Sequence, residues 1–154
     1  MRTAFILLLS VVFSACLQQE EIPTFEEQLN ADIAIIDAYL DANSITAIEH
    51  ESGLRYVVET EGSGPKPTLA NTVRVTYTGK FLSNGQIFDQ RIQPIEFPLQ
   101  GLIIGWQIAF PLLTVGTEAT LYIPSGYCYG RAGSDRIPAN AILIFDVELL
   151  AIVS

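Results

Sequence analysis

Between Thr72 and Leu82 the chain sets Val73, Val75 and Tyr77 against Arg74, Thr76 and Thr78, then runs into Ser83-Asn84-Gly85-Gln86. Apolar residues at every second position describe a strand with one face packed and one face wet. Asn-Gly after such a run predicts a tight hairpin, because both central positions of a type I′ turn take positive φ. The return strand then begins at Ile87-Phe88-Asp89.

The remaining pattern adds further strands. Leu54 to Glu59 reads as a first strand, closed by the breaker cluster Gly62-Ser63-Gly64-Pro65-Lys66-Pro67. Glu96-Phe97-Pro98-Leu99 reads as a short strand, and Pro98, which has no N–H to donate, puts it at an edge. Thr117 to Ile123 and Ile142 to Leu150 alternate again, the second apolar on both faces as a central strand would be. Leu102 to Leu113 is ambiguous by pattern, since Gly105 and Pro111 oppose a long helix. Runs of strands with little helix between them predict an antiparallel α+β domain.

Ahead of the strands, Thr24 to Leu40 predicts an amphipathic helix. Thr24 and Glu27 form a capping box. Leu29, Ile33, Ile36 and Leu40 make the apolar stripe, Asp32 and Asp37 lie off it, and Asp41-Ala42-Asn43-Ser44 ends the helix. So short a helix is marginal alone. Its stripe needs a partner, either its own domain or a second copy in a dimer; otherwise the helix is a spacer. The segment from Ala47 to Gly53 reads as a linker holding His50, the one histidine, which is expected to be solvated. A single imidazole leaves no His-based triad or multi-histidine metal site outside this position, and neither metal nor cofactor is expected.

Arg2, the apolar run Ala4 to Phe13, and Ser14-Ala15-Cys16 have the layout of a secretory signal. The run is well short of the ~20 residues that cross a bilayer as a helix. Cys16 directly after Ser14-Ala15 resembles a bacterial lipoprotein lipobox, with Phe13 where Leu is more usual. That resemblance implies cleavage before Cys16, acylation of Cys16, and a lipid-anchored protein of the cell envelope, at the outer membrane on its periplasmic or surface face. Gln18-Gln19-Glu20-Glu21 resembles the surface-export tags of some Bacteroidetes lipoproteins, and reads equally as a solvated spacer. The domain reading is then 1–15 signal, 16–53 acidic tether with helix and linker, and 54–154 folded domain, with its core motif region at 70–154. The formal charge is −9 and no Lys/Arg run exists, which argues against nucleic acid and anionic lipid as partners.

The second half also carries an ordered series of signatures. These are Val75-Thr76-Tyr77-Thr78-Gly79, Phe88-Asp89, Gly105-Trp106, Tyr127-Cys128-Tyr129-Gly130, and Ile137-Pro138-Ala139-Asn140-Ala141 continuing to Leu150. In order and spacing they resemble the FKBP family of peptidyl-prolyl cis/trans isomerases, the macrolide-binding immunophilins. The resemblance implies a strongly twisted antiparallel sheet wrapped around one short helix, here within Leu102–Leu113, with the N-terminal helix as an addition. It implies a pocket with Trp106 as floor and walls from Tyr77, Phe88, Phe97, Leu102, Ile103, Tyr129, Ile137 and Phe145. Of these, Tyr77, Phe88, Trp106, Tyr129 and Phe145, with Asp89, are the expected catalytic set. Phe97, Leu102, Ile103 and Ile137 are the expected substrate-binding residues. Tyr129 OH and the Ile103 N–H would donate to substrate carbonyls, and a buried Asp89 would accept from Tyr77 or an Arg. Cys128 stands where the family usually has Ala and is expected to pack, leaving no disulfide partner for Cys16. Departures fall at Ile95, often aromatic in the family, at Arg91, and in two shortened segments, Pro94–Trp106 and Gly130–Ile137. The implied substrates are proline-containing proteins or peptides outside the cytoplasm. The alternative reading is a proline-segment-binding chaperone or assembly lipoprotein with little isomerase turnover.

Overall fold

The computed structural model describes residues 21–154. The expected signal segment 1–15, Cys16 and the start of the expected acidic tether lie outside the described residues. In chain order the elements are α1 (Phe25–Ala42), β1 (Ile48–Glu49), β2 (Arg55–Thr60), β3 (Thr72–Phe81), β4 (Ile87–Pro98), α2 (Ile104–Ala109), β5 (Glu118–Ile123) and β6 (Leu143–Ile152). The six strands form one antiparallel sheet in the order β1-β2-β5-β6-β3-β4. This is the expected α+β architecture. None of the described helices is long and apolar enough to cross a membrane.

The main core lies between α2 and one face of the sheet. Trp106, Ala109 and Phe110 press onto Val73, Val75, Leu121, Leu143 and Leu149, all buried. Gly105 lets the helix approach, because a Cβ there would collide with Ile123. β6 is central, flanked by β5 and β3. Its second face is also apolar because α1 covers it: Ile36 and Leu40 pack on Tyr122, Ile142 and Ile144, with Leu82 at the margin. The apolar stripe of α1 thus finds its partner in its own domain.

The Thr24–Glu27 capping box forms as predicted, and α1 continues to Ala42. Asp32 and Asp37, placed off the stripe by sequence, both serve the packed side. Asp32 is 1% exposed and accepts from Ser125, and Asp37 pairs with the buried Arg55. The expected linker contains β1, which bridges to β2 at Tyr56 and Arg55. His50 is not simply solvated; it is half-buried in a turn where Nδ1 meets Ser52 Oγ at 2.9 Å.

The hairpin also differs from the type I′ expectation. Of its two central residues only Gly85 has positive φ (70°). Leu82 is buried and donates its N–H to Ile142 O, which draws it out of the β3–β4 ladder. The loop therefore closes across Phe81 and Gln86, and Asn84 Oδ1 caps the Gln86 N–H at 2.9 Å. Glu96–Leu99 is not a separate strand, because β4 runs unbroken from Ile87 to Pro98. The edge position argued from Pro98 holds. A register shift between Val75 and Tyr77 pushes Ile92-Gln93-Pro94 outward, leaving Ile92 72% exposed.

Candidate active site

A cleft of about 220 Å³ opens between α2 and the sheet, lined by Tyr77, Phe88, Asp89, Phe97, Leu102, Ile103, Trp106, Tyr129 and Phe145. Five elements converge on it. β3 brings Tyr77, β4 brings Phe88, Asp89 and Phe97, and β6 brings Phe145. Leu102 and Ile103 lead into α2, which carries Trp106, and Tyr129 follows a 3₁₀ turn, Ser125–Tyr127. Ile137 is the one residue of the expected set outside this lining. It is 5% exposed and lines an adjoining depression shared with Phe88, Asp89 and Tyr129.

Trp106 lies at the base, 3% exposed. The rings of Tyr77, Phe97 and Phe145 meet it edge-on, at centroid distances of 5.2, 6.3 and 5.3 Å and interplanar angles of 87°, 78° and 84°. Phe110 backs it at 4.9 Å. Such edge-to-face contacts place the positive rim of one ring on the negative face of another, and they fix ring orientation as well as distance. The indole N–H finds no hydrogen-bond acceptor among the described residues. Surrounding ring faces can act as weak acceptors.

The polar groups stand at the lip. Tyr77 OH donates to Asp89 Oδ2 at 2.6 Å, and Asp89 Oδ1 accepts the Gln90 N–H at 2.9 Å. Asp89 is not buried as expected; its side chain is 40% exposed, with Arg91 Nη1 4.0 Å away. β4 is an edge strand, and Asp89 stays in reach of water. Burial first, and then the neighbouring Asp89, push the Tyr77 phenol above its usual range, so it remains a neutral donor. Burial likewise raises Tyr129, with smaller contributions from Cys128 and Asp89. The Tyr129 hydroxyl makes no hydrogen bond among the described residues, and the ring is 38% exposed. Ile103 is the N-cap of α2, where a backbone N–H has no partner within the helix.

Two contributors were not singled out as site residues by sequence. Gln107 Nε2 donates to Leu102 O at 2.7 Å and to Gln100 O at 3.2 Å, holding the strand-like entry that carries Ile103. A glutamine after Trp106 on a short helix gives no sign of this. Gly79 lies under the cleft wall, where a Cβ would sit 2.6 Å from Phe88 Cζ and 2.9 Å from Phe145 Cε1. Cys128 packs as expected, and burial raises its thiol pKa, which favours the protonated form.

A twisted sheet closed on one short helix, with an aromatic cleft between them, makes a small, largely apolar receptor. The family model described as FKBP-type peptidyl-prolyl cis-trans isomerase matches residues 64–150. The chain belongs to that family. It is 47% identical over 105 residues to an FKBP-type peptidyl-prolyl cis-trans isomerase FkpA of Aeromonas hydrophila, covering 66% of this chain and 39% of the relative. It is 42% identical over 106 residues to the FKBP-type 22 kDa isomerase of Escherichia coli, covering 66% of this chain and 51% of the relative. The chain thus spans roughly two-fifths to half the length of these curated relatives. Among solved structures, a peptidyl-prolyl cis-trans isomerase of Pseudomonas syringae superposes with a TM-score of 0.71 and 32% identity, covering 86% of this chain and 98% of that one. FkpA of Escherichia coli gives 0.69 and 33%, covering 82% and 63%.

Proposed function

We propose that this cleft catalyses rotation about X-Pro peptide bonds. The observation that carries the reading is the buried Trp106 face at the base of a cleft walled by Tyr77, Phe97 and Phe145 and open toward Tyr129 and Asp89. Rotation of a peptide bond meets a barrier of ~18–20 kcal/mol because resonance puts positive charge on nitrogen and negative charge on oxygen. A twisted amide has lost much of that charge separation. An apolar cleft that excludes water therefore favours the twisted form over the planar one, and binding the two unequally is catalysis. No bond is made or broken, so a nucleophile is not required.

In this reading Trp106 receives the proline ring. Tyr129 OH and the Ile103 N–H donate to substrate carbonyls, and the Tyr77–Asp89 pair holds the wall in place. The test is the cis-to-trans rate of Xaa-Pro peptides in a protease-free assay. Wild type is expected to exceed a Trp106→Ala, Asp89→Ala variant by about 10²-fold. Equal rates would leave only a module that holds proline segments.

The finer reading, a lipid-anchored isomerase acting on proteins outside the cytoplasm, rests on the Ser14-Ala15-Cys16 pattern after an apolar run and on the acidic residues that follow. Multiple acyl chains anchor stably where one is marginal. Fatty-acid labelling of the full chain is expected to disappear in Cys16→Ala, and persistent label would refute the anchor.

A further inference from the structure

We infer that α1 is a brace for the cleft and that Asp32 is a positioning residue acting on Tyr129 through Ser125; this deepens the isomerase reading and rests on it for its kinetic test. Asp32 and Ser125 are both fully enclosed, at 1% and 0% exposure. Asp32 Oδ2 accepts the Ser125 N–H at 2.7 Å and the Ser125 hydroxyl at 2.5 Å, and Oδ1 accepts Gln28 Nε2 at 2.7 Å. A buried carboxylate is tolerable only when its lone pairs are met by donors in this way.

Ser125 passes that restraint on. Its carbonyl accepts the N–H groups of Cys128 and Gly130, at 3.0 and 2.9 Å. Those two residues flank Tyr129. Donors and acceptor of one serine are therefore all committed, two toward α1 and one around the cleft tyrosine. Gly130 O in turn accepts the Asn140 N–H at 2.8 Å, and Tyr129 O accepts the Gly133 N–H at 3.1 Å, so the same knot ties down the 130–140 loop.

Packing supports the knot from both sides. Phe25 meets the Tyr127 ring edge-on at 5.7 Å, and a Cβ on Gly126 would lie 2.7 Å from Phe25 Cε2. Tyr127 OH donates to Ser52 O at 3.0 Å, and Arg131 Nη2 donates to Pro23 O at 2.8 Å.

The experiment uses the full chain with Asp32→Ala, Asp32→Asn and Tyr129→Ala. Hydrogen exchange of the Cys128 and Gly130 amides is read first, because it needs no turnover. Asp32→Ala is expected to speed it by about tenfold or more, and Asp32→Asn, which keeps an acceptor for Ser125, to restore most of the protection. Kinetically, Asp32→Ala is expected to lower kcat/KM about fivefold well below its melting temperature, yet to change it less than about twofold in a Tyr129→Ala background. Unchanged exchange, or an equal loss of kcat/KM in both backgrounds, overturns the brace. A wild type with no rate above the Trp106→Ala, Asp89→Ala level defeats the isomerase reading, and the exchange data then decide the brace by themselves. Should Asp32→Ala fail to fold, Ser125→Ala removes the hydroxyl arm alone, and the same two readouts decide.

Discussion

Tyr77 and Asp89 are diagonal neighbours across β3 and β4, joined by a 2.6 Å hydrogen bond from the phenol to the carboxylate. Tyr77 stands opposite Arg91 and Asp89 opposite Gly79, so the bond spans a two-residue offset along the edge of the cleft. It stitches the edge strand to its neighbour beside the register shift that expels Ile92-Gln93-Pro94. Because the two groups form one unit, their removal is expected to be non-additive. Tyr77→Phe and Asp89→Ala should each lower kcat/KM, and a double-mutant cycle should give a coupling of about 0.5–3 kcal/mol. Effects that sum to within about 0.3 kcal/mol would show the pair to be independent.

Gly79 lies directly behind the aromatic wall, where an added methyl meets the Phe88 and Phe145 rings at less than van der Waals distance. Gly79→Ala is expected to cost about 1–3 kcal/mol of stability, as overpacking does, and to reduce peptide turnover beyond that of other overpacked core sites. Both rings line the cleft, so relieving the clash by shifting them alters the cleft. Urea denaturation and the peptide rate assay on the same preparation test this; a destabilised variant with wild-type kcat/KM would show that the wall yields elsewhere.

The sheet was legible because alternation survives wherever one face is wet, as in Val73, Val75 and Tyr77. The capping box at Thr24 and Glu27 was legible because it is a local motif. What escaped was set by long-range partners. Asp32 reads as a polar helix position until Ser125, distant in sequence, folds against it. Asn84-Gly85 reads as a two-residue turn until the burial of Leu82 against α1's cluster moves the closure. The cleft residues were reached by family resemblance, and singly each reads as core. Gln107 has no signature at all, since its bonds are to backbone carbonyls.

The enclosed and partly enclosed phenols and the thiol set an alkaline limit. Burial, then Tyr39 and the acidic Asp146 and Glu59, raise Tyr122 from 10.0 to about 12, and Tyr77 and Tyr129 move the same way. The folded chain then holds protons that the unfolded chain has released, so stability falls with rising pH. For Tyr122 the contribution is whole below about pH 10 and is lost as pH rises toward 12. Cys128, raised from an ordinary 9.0, begins to lose its share near pH 9. Urea midpoints measured from pH 7 to 11 should be level at first and then drop, and Tyr122→Phe should flatten the upper part. A midpoint that rises above pH 10 would contradict the direction of these shifts.

Arg55 and Asp37 join β2 to α1 with two bonds, Nε to Oδ1 at 2.9 Å and Nη2 to Oδ2 at 3.1 Å. The partners are unequally buried: the Arg55 side chain is 8% exposed and that of Asp37 is 45% exposed. Removing Asp37 strands a guanidinium away from water, with only Glu49, 3.5 Å off and itself 75% exposed, to compensate. Removing Arg55 leaves a carboxylate that water can reach. Asp37→Ala is therefore expected to cost about 1–3 kcal/mol, and Arg55→Met, which keeps the apolar stem, distinctly less. Guanidinium chloride unfolding of the two variants measures the difference, and a greater loss in Arg55→Met, which keeps the stem, would mean that the guanidinium holds this end of α1 through partners other than Asp37, such as Glu49.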